Sequence, residues 1–267
     1  MPLRVPRGDM LLKTFVIEIK DKRDIYLFES LAEDGRDVAV FGDLGNLGAG
    51  RLSYIMNVTT VITPSIIAML EEGSELFSRS LSEEVKELAL KKNILHTNYF
   101  DNEEFVYKNA YLTAEGTLAH IITNTDSSIV GLKTLILGYG KVGKALAKVL
   151  KDNYAFVAVA NRIGAKLDEA VLFADKTFKL SELKSEIGNY AVVVNTIPHL
   201  VLTKDLLKQL NSECFVIDLA SLPGGVDTNA VKELNIKLLH ALGIPGKVAP
   251  KSASEYIKAV ITQTPNG

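Results

Sequence analysis

The residues whose type and spacing carry the clearest chemistry are three glycines, Gly138, Gly140 and Gly143, set as GxGxxG. They follow an apolar run at 134–137 (TLIL) that reads as a buried strand. They precede 141–150, a helix-forming run with Val142, Leu146, Val149 and Leu150 on its apolar side. A further strand-like run, AFVAVA, occupies 155–160. In that setting each glycine has a physical task. Gly138 permits the tight turn, Gly140 admits a pyrophosphate against the backbone, and Gly143 lets the helix pack closely on the strand. The helix start then offers unpaired N–H groups and the positive end of its dipole to the phosphates. Dinucleotide binding is therefore expected, with Tyr139, Lys141 and Val142 as the other residues of the turn. The alternative is a tight turn without a ligand.

The end of the second strand selects between dinucleotides. Sites for NAD place Asp or Glu there, on the ribose 2′-hydroxyl. Here the position reads Asn161-Arg162, with Lys166 close behind and no carboxylate to repel a 2′-phosphate. The planar guanidinium of Arg162 matches such a phosphate, so NADP is expected, with NAD as the alternative. Three later apolar runs end in loops that, in an open parallel sheet, border the nicotinamide. They are 191–195 before Thr196, Ile197 and Pro198; 215–219, ending at Leu219, before Ala220 and Ser221; and 236–239 before His240.

The elements that must position these residues come from a chain of 267 residues, long enough for two modest domains. Hydrophobic residues make up 47% and charged residues 23%, with a formal net charge of -2, so no basic excess points to nucleic acid or an anionic membrane. No apolar run reaches the ~18 residues of a membrane span. The opening MPLRVPRGDM lacks the apolar core of a signal peptide, and Met10 is an alternative start. The single cysteine, Cys214, sits in an apolar run; a buried thiol in a reducing, cytoplasmic setting is expected.

The first half alternates strand-like runs (15–19, 37–41, 57–63, 93–97, 105–107) with helices. One helix is capped by Asp24 and stopped by Gly35. A second is capped by Thr63 with Pro64 next and closed by Gly73, and a third is capped by Ser82. The loop 42–50 holds four glycines without GxGxxG spacing; it reads as a turn, with a substrate or cofactor contact as the alternative. A helix at 113–123, capped by Thr113, leads into the glycine motif, and a terminal helix spans 252–262. The expected fold is α/β. A Rossmann-type doubly wound parallel sheet at 113–251 binds the dinucleotide. A smaller flavodoxin-like α/β domain at 1–112 forms the substrate side, joined by the C-terminal helix within 252–267.

Four stretches resemble a known family. NAYLTAEGT (109–117), GYGKVG (138–143), NTIP (195–198) and the run from DLASLPGGVD to GIPGKVAPKS (218–252) are similar to the A chains of dipicolinate synthase, among the two-domain dehydrogenases of D-2-hydroxyacid type. The resemblance implies an oxidoreductase that forms dipicolinate from a hydroxy-tetrahydrodipicolinate precursor by net dehydration and oxidation, with hydride passed to NADP. It implies a small dicarboxylate substrate, a role in sporulation and a flavoprotein-like second subunit; related dehydrogenases commonly form homodimers. The first half departs from the family: FVIEIKDKR (15–23) lacks its glycine-containing turn and keeps only Asp21-Lys22-Arg23, and 63–109 is shorter than the family pattern.

Catalytic candidates follow. Lys251, in VAPKS, is placed to bind a substrate carboxylate or hold a proton near the reacting carbon. Ser221 and Thr196 offer hydroxyls at strand ends, and Glu115 lies on the connecting helix. His240 is a candidate acid or base because imidazoles titrate near neutrality, although the family has an apolar residue there. His199 is a lesser candidate, His120 and His96 read as structural, and Asp227 reads as a helix cap. No His, Cys and carboxylate cluster has metal-ligand spacing, so no metal is expected, and no GxSxG nucleophile occurs. Two other readings stay open: an NAD(P)-dependent dehydrogenase of a different small acid, and a non-catalytic dinucleotide-binding regulatory subunit.

Overall fold

A computed structural model describes residues 13–42, 51–221 and 223–263. The opening MPLRVPRGDM, loop positions 43–50 and Leu222 lie outside the described residues. The chain divides into two compact units, one of 1–106 with 249–267 and one of 107–248. These bounds fall a few residues before the expected 112/113 and 251/252.

In the first unit, strands β1 (Lys13–Ile17), β2 (Asp37–Val40), β3 (Arg51–Ile55), β4 (Glu75–Ser78) and β5 (Leu95–Asn98) form a parallel sheet in the order β2-β1-β3-β4-β5. That is the flavodoxin-like order. Helices α1 (Lys22–Glu33), α2 (Pro64–Met69) and α3 (Glu83–Lys91) link the strands, and α4 (Glu103–Asn124) follows β5. The terminal helix α11 (Pro250–Gln263) packs on α1, where Lys258 Nζ pairs with Asp34 (2.7 Å) and bonds Ser30 Oγ (2.7 Å). Its Ile257, Val260 and Ile261 share a core with Phe15, Leu27 and Leu31.

Several first-half expectations change. Asp21, not Asp24, caps α1. Asp24 is the third helical residue and completes a capping box by accepting from Asp21 N (2.9 Å). Burial pushes the Asp24 carboxyl above its ordinary value, against hydrogen bonds from Asp21, Asn57 and Lys20. The strand expected at 57–63 does not form. Asn57 Oδ1 accepts from Thr59 N (2.9 Å) and its Nδ2 donates to Asp24 (2.7 Å), so the side chain captures backbone that a ladder would need. The run 105–107 is helical, within the first two turns of α4, and Thr113 is not a cap; its hydroxyl donates back to Asn109 O (2.8 Å) within that helix.

Glu75 of β4 accepts from Ser53 Oγ (2.7 Å) and pairs with Lys13 (2.6 Å) and Arg51 (3.4 Å). Burial raises its pKa, but Lys13, Ser53 and Arg51 outweigh that and hold the carboxyl below the ordinary 4.5. A folded-state pKa below the unfolded one adds stability that is present above about pH 4.5 and lost as the pH falls through the folded value. Glu75→Gln is expected to lower stability by about 1–2 kcal/mol at pH 7. In urea unfolding, the gap from wild type should shrink at acid pH; an equal gap at pH 7 and in acid would contradict this.

In the second unit, β6 (Lys133–Leu137), β7 (Phe156–Asn161), β8 (Lys176–Lys179), β9 (Val192–Asn195), β10 (Phe215–Asp218) and β11 (Lys237–His240) form one parallel sheet, ordered β11-β10-β9-β6-β7-β8. Counted within the unit this is 3-2-1-4-5-6 read from β8, the Rossmann order. Helices α5 (Lys141–Asp152), α6 (Gly164–Ala170), α7 (Leu183–Glu186), α8 (Lys204–Leu207), α9 (Thr228–Glu233) and α10 (Ile244–Val248) complete it. The inner strands β6, β7, β9 and β10 are buried on both faces, which is why they read as largely apolar runs. Ile136, Val157, Val159 and Val194 meet Leu146 and Leu150 of α5 on one face; Leu135, Ala158 and Val216 lie on the other.

Cys214 is buried there, and burial pushes its thiol up to about 12, leaving little thiolate to react. The TAEG stretch has a packing task. A Cβ on Gly116 of α4 would overlap the Ile244 side chain of α10 and lie 3.0 Å from Val248 Cγ2.

Candidate functional site

The glycine turn leaves β6 and enters α5. Gly138 has φ 94, and a Cβ there would lie 2.5 Å from Thr196 Oγ1 and 2.9 Å from Ile197 Cγ1. A Cβ on Gly143 would overlap the Gly138 carbonyl, so helix and turn are in direct backbone contact. Gly140 differs: no described atom lies within 4 Å of a Cβ built on it. It is the N-cap of α5, and no side chain caps that helix. Open space beside an uncapped helix start fits a pyrophosphate. Tyr139 is 2% exposed and packs in the core, so what it offers a ligand is backbone. Lys141 is exposed, and Val142 packs on the core.

At the end of β7, Asn161 Oδ1 accepts from Ile163 N (3.0 Å), a local turn that holds the loop. Arg162 is exposed, with no carboxylate partner among the described residues. Lys166 lies 3.8 Å from Glu169, which also pairs with Lys144.

The loops after β9 and β10 are tied together by two buried side chains, Asn195 and Asp218. Asn195 Nδ2 donates to Asp218 Oδ1 (2.8 Å) and to Ile197 O (3.0 Å), and Asn195 Oδ1 accepts from Ile197 N (3.1 Å). Asp218 also accepts from Ala220 N (3.2 Å) and Gly225 N (3.0 Å). The glycines of PGG allow this closeness. Gly224 has φ 86, and its Cβ would sit 2.8 Å from Asp218 Oδ2; a Cβ on Gly225 would overlap Asn195. Thr196 Oγ1 donates to Leu137 O (2.9 Å), so its hydroxyl proton is held by backbone. Pro198 is exposed, Ile197 and Leu219 are half-buried, and Ala220 is buried. Neither Asn195 nor Asp218 stands out in the sequence as a site residue. The signal is a polar residue closing each apolar run, AVVVN and FVID.

His240 ends β11 opposite Asp218, its Nδ1 3.7 Å from Asp218 Oδ2 and its side chain 44% exposed. Ser221 is exposed, its carbonyl accepting from Gly224 N (2.9 Å). Glu115 is exposed on α4. Lys251 does not lie in the cofactor unit, as the expected 113–251 would have it. Proline starts α11 at 250, so Lys251 is in the first turn of a helix that belongs to the first unit. Asp227 caps α9 by accepting from Asn229 N and Ala230 N (3.1 and 3.0 Å). His96 bonds Ser78 Oγ (3.0 Å), and burial lowers its pKa. Among the described residues no cluster of His, Cys, Asp or Glu could hold a metal ion, and no helix is long and apolar enough to cross a membrane.

A GxGxxG turn at the carboxyl edge of a 3-2-1-4-5-6 sheet is the arrangement of a Rossmann-type dinucleotide-binding unit, here in a chain with a second parallel α/β unit. Residues 117–241 match the shikimate / quinate 5-dehydrogenase family. The chain is similar to the dipicolinate synthase A chain of Bacillus subtilis, 32% identical over 164 residues that make up 61% of this chain and 55% of that protein. The crystal structure of the dipicolinate synthase A chain from Bacillus halodurans superposes with a TM-score of 0.79 at 26% identity, covering 96% of this chain and 98% of the other. Shikimate dehydrogenase (NADP(+)) of Shouchella clausii is 29% identical over 43% of this chain and 42% of that enzyme. The chain spans about half the length of the curated relatives it matches. Together these likenesses support an oxidoreductase-like protein with an NAD(P) site.

Proposed function

We propose that the chain is an NADP-linked oxidoreductase resembling the A chain of dipicolinate synthase and acting on a hydroxy-tetrahydrodipicolinate. The observation that carries the reading is the bare turn at Gly140 beside the uncapped α5, followed at β7 by a strand end without a carboxylate. Backbone N–H groups of 140–143 hold the pyrophosphate, and Asn161, Arg162 and Lys166 face the adenosine 2′-phosphate. Thr196, Ile197, Pro198, Leu219 and Ala220 border the nicotinamide, which supplies a hydride acceptor when bound. Loss of water from the precursor needs a proton delivered to the departing hydroxyl and one taken from the neighbouring carbon. His240, beside the buried Asp218 carboxylate, is suited to move that proton. Ser221 offers a hydrogen bond to the substrate, and Glu115 is a candidate for a ring-nitrogen contact. The relatives are named as one chain type of a synthase, which supports a second, different chain as partner.

The test is dipicolinate formation from the precursor with NADP, with and without a candidate second subunit, read by NADPH fluorescence and by mass spectrometry of the product. Binding of NADPH without dipicolinate in either case would leave the cofactor assignment and remove the reaction. The family match and the Shouchella enzyme favour one second reading, a different small hydroxy acid such as shikimate as substrate. The same assay with shikimate separates the two. Arg162→Ala is expected to weaken NADPH about tenfold, since one charge-assisted phosphate contact is worth ~1.5 kcal/mol or more. NADH should change less than about twofold. Parallel titrations check it; equal weakening of both would place Arg162 outside the phosphate site.

A further inference from the structure

In the half of the second unit that runs from β6 to β8, the cations differ in how they are paired. Lys148, Lys151 and Lys176 are each tied to a carboxylate: Asp152 (2.8 Å), Asp175 and Glu186 (2.6 Å). Arg162, just after β7, and Lys179, the last residue of β8, are exposed and without a carboxylate partner among the described residues. Both stand at the carboxyl edge of the sheet.

The register fixes how close they are. Lys179 is the ladder partner of Asn161, the residue before Arg162. Parallel neighbours lie about 4.8 Å apart, and paired residues project to the same face. Val157 and Val159, at alternate positions before Asn161, face the core that includes α5, whereas Phe178, next to Lys179, belongs to the opposite face. Asn161 and Lys179 therefore project on the α5 side, the side of the glycine turn. The long flexible stem of a lysine bridges one strand spacing. The nearest acid in sequence, Glu182, is engaged by Lys179 backbone N (3.1 Å). Lys166, by contrast, is partly neutralised by Glu169.

We propose that Lys179 is a further cation of the 2′-phosphate subsite, beside Arg162 and Lys166, and so contributes to specificity for NADP over NAD. This rests on the NADP reading above. A point charge on β8 and a guanidinium on β7 would hold the phosphate from two strands, which a dinucleotide with a free 2′-hydroxyl cannot use.

The experiment is calorimetric titration of wild type, Lys179→Glu and Lys179→Met with NADPH, NADH, 2′,5′-ADP and 5′-AMP, with thermal unfolding as the folding control. Lys179→Glu is expected to raise the Kd for NADPH and 2′,5′-ADP about tenfold or more, and Lys179→Met about threefold. NADH and 5′-AMP should stay within about twofold, and the NADPH effect should shrink as salt is raised. Unchanged NADPH binding, or equal losses for NADPH and NADH, overturns the proposal for Lys179 while leaving the NADP reading intact if wild type prefers NADPH. A wild type that binds NADH as tightly as NADPH overturns the NADP reading and the proposal together.

Discussion

Gly140→Val is expected to leave the fold intact and to weaken NADPH and NADH together by about a hundredfold or more, close to 2.7 kcal/mol. Both halves of that expectation come from one feature of the structure. Nothing described lies within 4 Å of a Cβ at Gly140, and its φ of -82 suits any L-residue, so the folded chain has room for valine. The room is the space a pyrophosphate needs against the α5 N-terminus, and two methyl groups there exclude it. The other two glycines of the motif give no such clean test. A side chain at Gly143 meets the Gly138 carbonyl, and one at Gly138 meets Thr196 and is strained at φ 94, so these variants lose stability first. Equilibrium titration with both dinucleotides, beside a melting curve, checks the expectation. An unchanged melting temperature with binding retained within about tenfold would mean that phosphates do not rest at this turn.

How legible the molecule is in its sequence differs between the two units, and the reason is physical. In the second unit the inner strands β6, β7, β9 and β10 are buried on both faces, so composition alone marks them. The glycine motif fixes where β6 ends and α5 begins, and the observed β6, α5, β7, β9, β10 and β11 lie within a residue or two of the expected runs. β8 escapes notice because KTFK, at the sheet edge, buries only Phe178.

In the first unit tertiary contacts override local pattern. NVTTVIT has the composition of a strand, but Asn57 is drawn into a buried network with Asp24 and Arg23, and the chain turns instead. β4, ELFS, carries a charged residue that is compatible with a buried strand only because Lys13 and Arg51 arrive from β1 and β3. Neither cation can be assigned to Glu75 before the sheet order is known.

The site divides the same way. Residues that act through backbone, at Gly138, Gly140 and Gly143, are readable because glycine announces where a side chain is not tolerated. Residues that act through long-range partners are not. Asp218 is one letter in an apolar run until β9 and the PGG loop are folded against it.

Asp218→Ala is accordingly expected to be among the most destabilising single changes in the second unit. The side chain is fully buried and receives three donors: Asn195 Nδ2, Ala220 N and Gly225 N. Removing it strands them, and each unsatisfied buried donor costs about 1–3 kcal/mol. Asn195 retains Ile197 O and the two amides can recover some solvent as the loop relaxes, so about 3–4 kcal/mol is expected rather than the full sum. In a unit of this size that lowers the melting temperature by on the order of 10 °C. Asp218→Asn keeps an acceptor for two of the three donors and sets an amide against the third, so an intermediate loss is expected.

The loss should also be local before it is global. Hydrogen exchange of the Ala220 and Gly225 amides should quicken well before that of β6 and β7, because the network joins the loops after β9 and β10 and not the strands beneath them. NADPH affinity should fall with it, since those loops border the proposed nicotinamide position, while 2′,5′-ADP, which reaches only the β6–β8 half, should bind nearly as before. If Asp218→Ala melts within about 2 °C of wild type, the buried carboxylate is not what holds the two loops.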